Sequence, residues 1–323
     1  MAVFTHVSDA EMARFIAGFE IGRVIEFHGI AEGVQNTNFL VRTEMGRFIL
    51  TLYEERTEVS ELPFFLGLME HLSQGGISCP TPLHDRMGSA LVELNGRPAA
   101  LVSFLDGAWI RQPQARHCAA VGEALARLHV VGQSFPMRRK NDLGLVGWRP
   151  LYERFAASAD AITPDLGRLI GDELGYLESS WPKDLPDGVI HADLFPDNVF
   201  FVDDQYSGLI DFYFAATDML AFDIAICLNA WCFEPDLTFN RKKAAALLAG
   251  YQRVRPLART EVAALPTLAR GAALRFLLTR AYDWLYTAET AVVTKHDPLA
   301  YSRRLTFHQT IKDAGAYGLE SRS

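Results

Sequence analysis

Cysteine is sparse, with four in 323 residues, and Cys79, Cys118, Cys227 and Cys232 make no Cys-x-x-Cys pair. That excludes a disulfide scaffold and a cysteine-built zinc knuckle, and leaves small thiols of the kind that cores bury. Reduced thiols and a cytoplasmic location are the matching expectation. Long apolar runs are lacking too. The longest uncharged one, 224 to 233, is about half of what a bilayer span takes. The opening MAVFTHVSDAEMARF carries acids where a secretory signal would have a basic end and an apolar core. No membrane association is expected. Basic residues are not in excess: 31 Lys and Arg face 39 Asp and Glu, for a net charge of −8. A protein that grips a phosphate backbone needs a basic face, so nucleic acid is not expected as a partner. Internal repeats and low-complexity tracts are missing as well.

What is present is ordinary globular sequence, long enough for a two-lobed enzyme with a sizeable core. One stretch stands out, 189 to 213, VIHADLFPDNVFFVDDQYSGLIDFY. An apolar run leads into His191-Ala192-Asp193, Asn198 follows five residues after Asp193, and Asp211-Phe212 closes a second pair of apolar runs. The runs 199 to 202 and 208 to 210, joined by a turn-rich segment, predict a hairpin that returns Asp211 toward Asn198. Order and spacing match what phosphoryl transfer to a hydroxyl requires. A carboxylate, Asp193, accepts the hydroxyl proton, and an amide oxygen and a second carboxylate, Asn198 and Asp211, are hard ligands suited to Mg²⁺ on a nucleotide triphosphate. Any one Asp or Asn in a loop is more often a turn cap; the joint pattern is what points to chemistry. His191 is expected to brace the loop by hydrogen bonds, Asp197 to cap it, and Asp223 to cap a helix or brace the loop.

The HADLFPDN segment with IDFYFA after it resembles the aminoglycoside phosphotransferase and choline kinase superfamily. Within that group, NTNFLVRT, FILTLYE and DFYFAATDMLAFDIAICLNAWC resemble the kinase-like homoserine kinases, and the likeness covers nearly the whole chain. It implies an α+β, bilobal, protein-kinase-like fold with a five-stranded antiparallel sheet in a small lobe and a large, mainly helical lobe. It implies ATP and Mg²⁺ as cofactors and L-homoserine as the acceptor, phosphorylated on its side-chain hydroxyl for threonine synthesis. Other small-molecule kinases of the superfamily, acting on an aminoglycoside, choline or methylthioribose, remain alternatives, as does a pseudokinase that binds nucleotide without transferring phosphate.

Taken in order, Ser8 to Glu11 is a capping box that opens an amphipathic helix. Runs at 24–27, 39–42 and 48–53 then predict an antiparallel meander. The loop 29 to 38 is polar, and the resemblance places Gly33, Asn36 and Thr37 over the nucleotide phosphates. The third strand departs from the kinase template, which has a lysine for the α and β phosphates. Here the run is Leu50-Thr51-Leu52, with Arg42, Arg47 or the metal as candidate substitutes. A helix after Thr57, and a hairpin around Asn95-Gly96, complete the small lobe, which is expected to span 1–107. The resemblance puts adenine at the hinge, on Ser103, Phe104 and Leu105. The second lobe is expected to span 108–323. Helices are predicted from Pro113 to Gly132, from a Thr163-Pro164 start to Trp181, and near 220–233, 240–253, 266–288 and 298–314. The basic run Arg138-Arg139-Lys140 reads as a solvated loop. A zwitterionic acceptor needs a cation for its carboxylate, and Tyr213, Asn229 and Arg280 are the pocket candidates.

Overall fold

The computed structural model describes residues 5–30, 36–54, 58–287 and 295–319. The chain forms two compact units, one of residues 1–107 with 207–210, the other of 108–206 with 211–323.

The first unit is built on one antiparallel sheet. Helix α1 (Asp9–Ile16) starts at Ser8, whose hydroxyl accepts from the Glu11 amide (3.4 Å) while the Glu11 carboxylate accepts the Ser8 amide (2.8 Å). Strands β1 (Val24–Gly29), β2 (Thr37–Thr43) and β3 (Gly46–Leu52) form the meander, helix α2 (Leu62–Gln74) follows, and β4 (Val92–Leu94) and β5 (Arg97–Ser103) make the hairpin. The strand order is β1-β2-β3-β5-β4. Asn95 and Gly96 both take left-handed backbone, with φ of 52° and 74°, which twists a two-residue turn to match its strands. Alternation on β2 turns Phe39 and Val41 inward, where they join Leu50, Leu52 and Leu101 and the α1 residues Met12 and Ile16 in one core. Thr51 lies between Asn38 and Ala100 in the register.

The second unit contains α3 (Ala115–Gly132), α4 (Leu145–Glu153), α5 (Leu166–Ser180), β6 (Asp187–Ile190), β7 (Val199–Val202), β8 (Gln205–Leu209), β9 (Ala216–Met219), α6 (Leu220–Trp231), α7 (Arg241–Val254), α8 (Arg259–Tyr286) and α9 (Leu299–Gln309). The last residues of β8 cluster with the first unit. Strands β7 and β8 form the expected hairpin ladder, and β6 pairs with β9, antiparallel, with Ile190 opposite Ala216. Helices α3 and α7 pack so closely that a Cβ on Gly122 would lie 2.0 Å from the Leu247 carbonyl, and one on Gly250 2.0 Å from that of Ala119. Glycine at both places is what lets the two backbones touch.

Several element boundaries differ from the sequence expectation. Helix α5 begins at Leu166, because Asp165 takes a left-handed conformation (φ 64°) and separates Pro164 from the helix. Helix α8 runs back through Pro266 to Arg259. The missing N–H of Pro266 removes one hydrogen bond, and the burial of Leu265, Leu268, Ala269 and Ala272 outweighs that loss. Helix α9 stops at Gln309, short of 314, where Asp313 caps a separate 3₁₀ turn. By length and composition α8 could cross a bilayer, the one such helix among the described residues, but most of its apolar stretch is buried inside this unit. Strand β9 and helix α4 have no clear sequence signal: β9 is a four-residue strand with two polar members, and α4 contains Pro150.

Replacing Gly122 with alanine is expected to lower the unfolding free energy by about 3 kcal/mol through forced separation of α3 and α7. Apart from the backbone of its own helix, Gly171 in α5 has no atom of the described residues within 4 Å of where its Cβ would be, so Gly171→Ala should raise stability by about 0.5–1 kcal/mol. Urea midpoints of the two variants against the parent check both signs.

Candidate active site

Strand β6 delivers the chain to His191, and from there a buried carboxylate on another element fixes the backbone. Asp223, in the first turn of α6, is fully buried. It accepts the amides of His191 (2.7 Å) and Ala192 (3.0 Å) and the Nε2 side of the His129 ring (3.2 Å), and His129 Nδ1 meets the Tyr251 hydroxyl at 2.7 Å. Burial works to raise the Asp223 pKa, but the hydrogen bond and field of His129, with the pull of His191 and its amide, hold the carboxyl below the usual range. Asp223 is therefore a charged anchor under the loop.

The anchor permits an unusual conformation. Ala192 has φ 62°, a left-handed setting that costs an alanine roughly 1–2 kcal/mol. Its amide is held by Asp223, and its carbonyl accepts from Nη1 of Arg275, a buried α8 residue. The next residue is Asp193. Its amide donates to His191 Nδ1 (3.3 Å), and the Asn198 amide nitrogen donates to its carbonyl (2.8 Å) and its carboxylate (3.3 Å). Trp231 Nε1 secures the following carbonyl, that of Leu194, at 2.8 Å. His191 thus braces the loop from a buried position beside Phe212.

Charge is concentrated here. The Asp193 carboxyl is pushed up to about 7 by burial first, with Arg275 opposing and Asp211, Asp197 and Asp223 adding. Asp211 follows β8 with φ 63°. Protein crowding raises its carboxyl above the usual range, opposed by His191 and the Tyr213 amide; the residue still keeps an exposed edge. With the Asn198 amide nitrogen directed at Asp193, the amide oxygen is the group that Asn198 can offer elsewhere. That oxygen and the Asp211 carboxylate are a hard-donor set of the type Mg²⁺ takes, with water completing the shell.

The other pocket candidates separate. Tyr213 is half-buried, two residues after Asp211. Asn229 is fully buried, its amide nitrogen donating to the carbonyls of Ala225 and Ala269 at 3.0 Å each, so it ties α6 to α8 and offers no surface to a ligand. Arg280 lies 4.5 Å from the Tyr301 ring centroid. The run Arg138 to Lys140 is not a free loop: Lys140 bridges to Thr217 within β9, and Arg139 donates to the Ala215 carbonyl (3.3 Å). Asn141 then binds Asp218 (2.7 Å). Sequence reasoning missed this second support of the segment after Asp211, because a single bridge leaves no periodic pattern.

In the first unit, Thr51 donates to Asn38 Oδ1 (2.8 Å), a neutral pair where the kinase template has a lysine. Neither substitute cation is free. Arg42 pairs with Glu26 (3.2 Å), and Arg47 pairs with Asp106 (2.6 Å) and covers the Phe104 ring at 4.3 Å. The Thr37 hydroxyl donates to Glu54 (2.7 Å), and Asn36 accepts the Glu54 amide (3.2 Å). Ser103 exchanges bonds with Thr81, its amide reaching the Thr81 carbonyl and its hydroxyl accepting the Thr81 amide, both at 2.9 Å. Leu105 is half-buried. Gly33 lies outside the described residues.

Comparison with known proteins fits this geometry. The family model described as "Phosphotransferase enzyme family" matches residues 26–257. Curated proteins named homoserine kinase, from Rhizobium rhizogenes and from Paramagnetospirillum magneticum, are each 57% identical over 99% of this chain and 100% of their own length. The chain belongs to the homoserine kinase branch of the phosphotransferase enzyme family. Solved structures share its fold at low identity. Amicoumacin kinase hAmiN in complex with AMP-PNP, Ca²⁺ and Ami superposes with a TM-score of 0.70 at 14% identity, covering 95% of each chain. Choline kinase from Cryptosporidium parvum gives 0.65 at 16%, covering 88% of each. The kinase-like fold expected from the sequence, with its five-stranded sheet and helical second unit, is the fold of this family member, and ATP is the phosphoryl donor that such an enzyme uses.

Asp223→Ala would leave two loop amides without their acceptor and release the left-handed turn at Ala192. A stability loss of about 3 kcal/mol is expected, together with a fall in turnover larger than the unfolded fraction explains. Chemical denaturation and initial rates on the same preparation measure the two effects separately.

Proposed function

We propose that this chain transfers the γ-phosphoryl group of ATP to the side-chain hydroxyl of L-homoserine, giving O-phospho-L-homoserine and ADP, a step toward threonine. The observation that carries the reading is the end-to-end 57% identity to curated homoserine kinases. The loop geometry supports it.

Asp193 orients the acceptor hydroxyl and takes its proton as the new O–P bond forms and the bond to the ADP oxygen breaks. A carboxyl pushed up to about 7 is suited to accepting a proton near neutrality. The Asp223 and Arg275 contacts on either side of Ala192 hold that carboxylate in place. Asn198 Oδ1 and Asp211 would hold Mg²⁺, which when bound neutralises charge on the phosphates. Residues 1–107 act as the nucleotide-binding lobe, with Gly33, Asn36 and Thr37 toward the phosphates and Ser103, Phe104 and Leu105 at the adenine. Residues 108–323 act as the catalytic and acceptor-binding lobe, with Tyr213 and Arg280 serving the acceptor. Thr51 supplies no charge to the triphosphate, so the metal ion and backbone N–H groups carry more of the phosphate binding than in lysine-bearing kinases.

Two measurements test this. ADP release with Mg-ATP across L-homoserine, L-serine, L-threonine, choline, kanamycin and methylthioribose should show turnover with homoserine well above the rest; another preferred acceptor would replace the substrate, and no turnover despite ATP binding would point to a pseudokinase. Asp193→Ala should lower kcat by 10²-fold or more, on the scale of ~10²–10⁴ for a positioned base, with the KM for ATP little changed. Near-normal turnover in that variant would remove Asp193 from the mechanism.

A further inference from the structure

Beside the catalytic loop the second unit has a cavity of about 630 Å³, bordered by Pro196 of the loop and by Trp231, Phe233, Glu234, Lys243 and Arg304. Its walls are aromatic and carry four cations, Arg111, Lys242, Lys243 and Arg304, of which only Lys243 is in an ion pair among the described residues. Lys243 is bound to Glu234 at 2.8 Å, and Glu234 also accepts from Asn240 at 2.6 Å. Arg304 is different. It projects from α9 with its guanidinium 4.5 Å from the Tyr301 ring centroid and 5.2 Å from that of Phe233. Among the described residues it forms no ion pair, and its Nε is fully buried without a hydrogen-bond acceptor.

Arg280 approaches the same Tyr301 ring, also at 4.5 Å, and likewise forms no ion pair among the described residues. Burial works against its charge, and the charge of Arg304 adds to that, while Tyr301 and the acids Asp193 and Asp297 oppose it. Two guanidinium groups on one aromatic ring, within electrostatic reach of one another, repel unless an anion lies near them. Each retains planar donors with the geometry of a carboxylate.

We propose that Arg304 is the specificity-determining residue that binds the α-carboxylate of the acceptor, with Tyr301 as the surface that holds it in plane and Arg280 as the second cation. The inference rests on the reading that the acceptor is L-homoserine, and it assigns the part of that molecule that choline, an aminoglycoside or a simple amino alcohol lacks. The acceptor hydroxyl meets Asp193 while the carboxylate end is taken by arginine.

The test pairs a side-chain deletion with a ligand-group deletion. 3-Aminopropan-1-ol is homoserine with hydrogen in place of its carboxylate. The parent protein should favour homoserine by roughly 10³-fold in kcat/KM, the scale set by leaving a charged site group unmatched. Arg304→Met should lower kcat/KM for homoserine by about 10²-fold, chiefly through KM, and leave 3-aminopropan-1-ol within about threefold. The KM for ATP and the melting temperature should stay near parental values. Arg304→Lys, which keeps charge but not the planar fork, should lose about tenfold on homoserine, and it carries the test if the methionine variant does not fold. Equal losses on both acceptors, or no loss on homoserine, would overturn the assignment. Absence of homoserine turnover in the parent protein would instead overturn the functional reading, and the assignment with it.

Discussion

The structure around the loop depends on one buried carboxylate. A charge removed from water is tolerated only where hydrogen bonds and opposite charge replace its hydration, and Asp223 obtains these from two backbone amides and an imidazole. The arrangement works in both directions. The loop satisfies Asp223, and Asp223 holds both amides of the left-handed turn at Ala192. Asp193 and Asn198 take their positions from that turn.

Around this anchor the charges are sorted by element. The acids Asp193, Asp197 and Asp211 come from the loop and its return strand, and Asp223 from α6. The arginines Arg275, Arg280 and Arg304 come from the last two long helices. Arg275 grips the loop itself, whereas the other two rest on Tyr301. A carboxyl with a raised pKa can persist in such surroundings because neither sign dominates. Burial and the neighbouring acids favour the neutral form of Asp193, and Arg275 limits how far.

Legibility in the sequence followed locality. The spacing from His191 to Asn198 and the Asp211-Phe212 pair survive as geometry because each piece is short and its partners are near in the chain. The Asn95-Gly96 hairpin and the Ser8 capping box were readable for the same reason. What the sequence hid is long-range. Asn229 reads as a polar pocket residue, yet it bonds carbonyls of two helices, a fact fixed only by how α6 and α8 cross. Arg275 reads as one of several helical arginines until its contact with the Ala192 carbonyl, 83 positions away, is known. Pro266 marks a helix start by local rules, yet the buried stretch around it lets the helix run back to Arg259.

Gly250 immediately precedes Tyr251, the residue whose hydroxyl meets His129. The chain of contacts therefore begins at the packing interface between α3 and α7 and passes through Tyr251, His129 and Asp223 to the amide of Ala192. Hydrogen bonds weaken as donor and acceptor move apart or out of line. The absence of a side chain at 250 thus acts as a gauge block: it sets the spacing of the two helices from which the loop at Ala192 is braced.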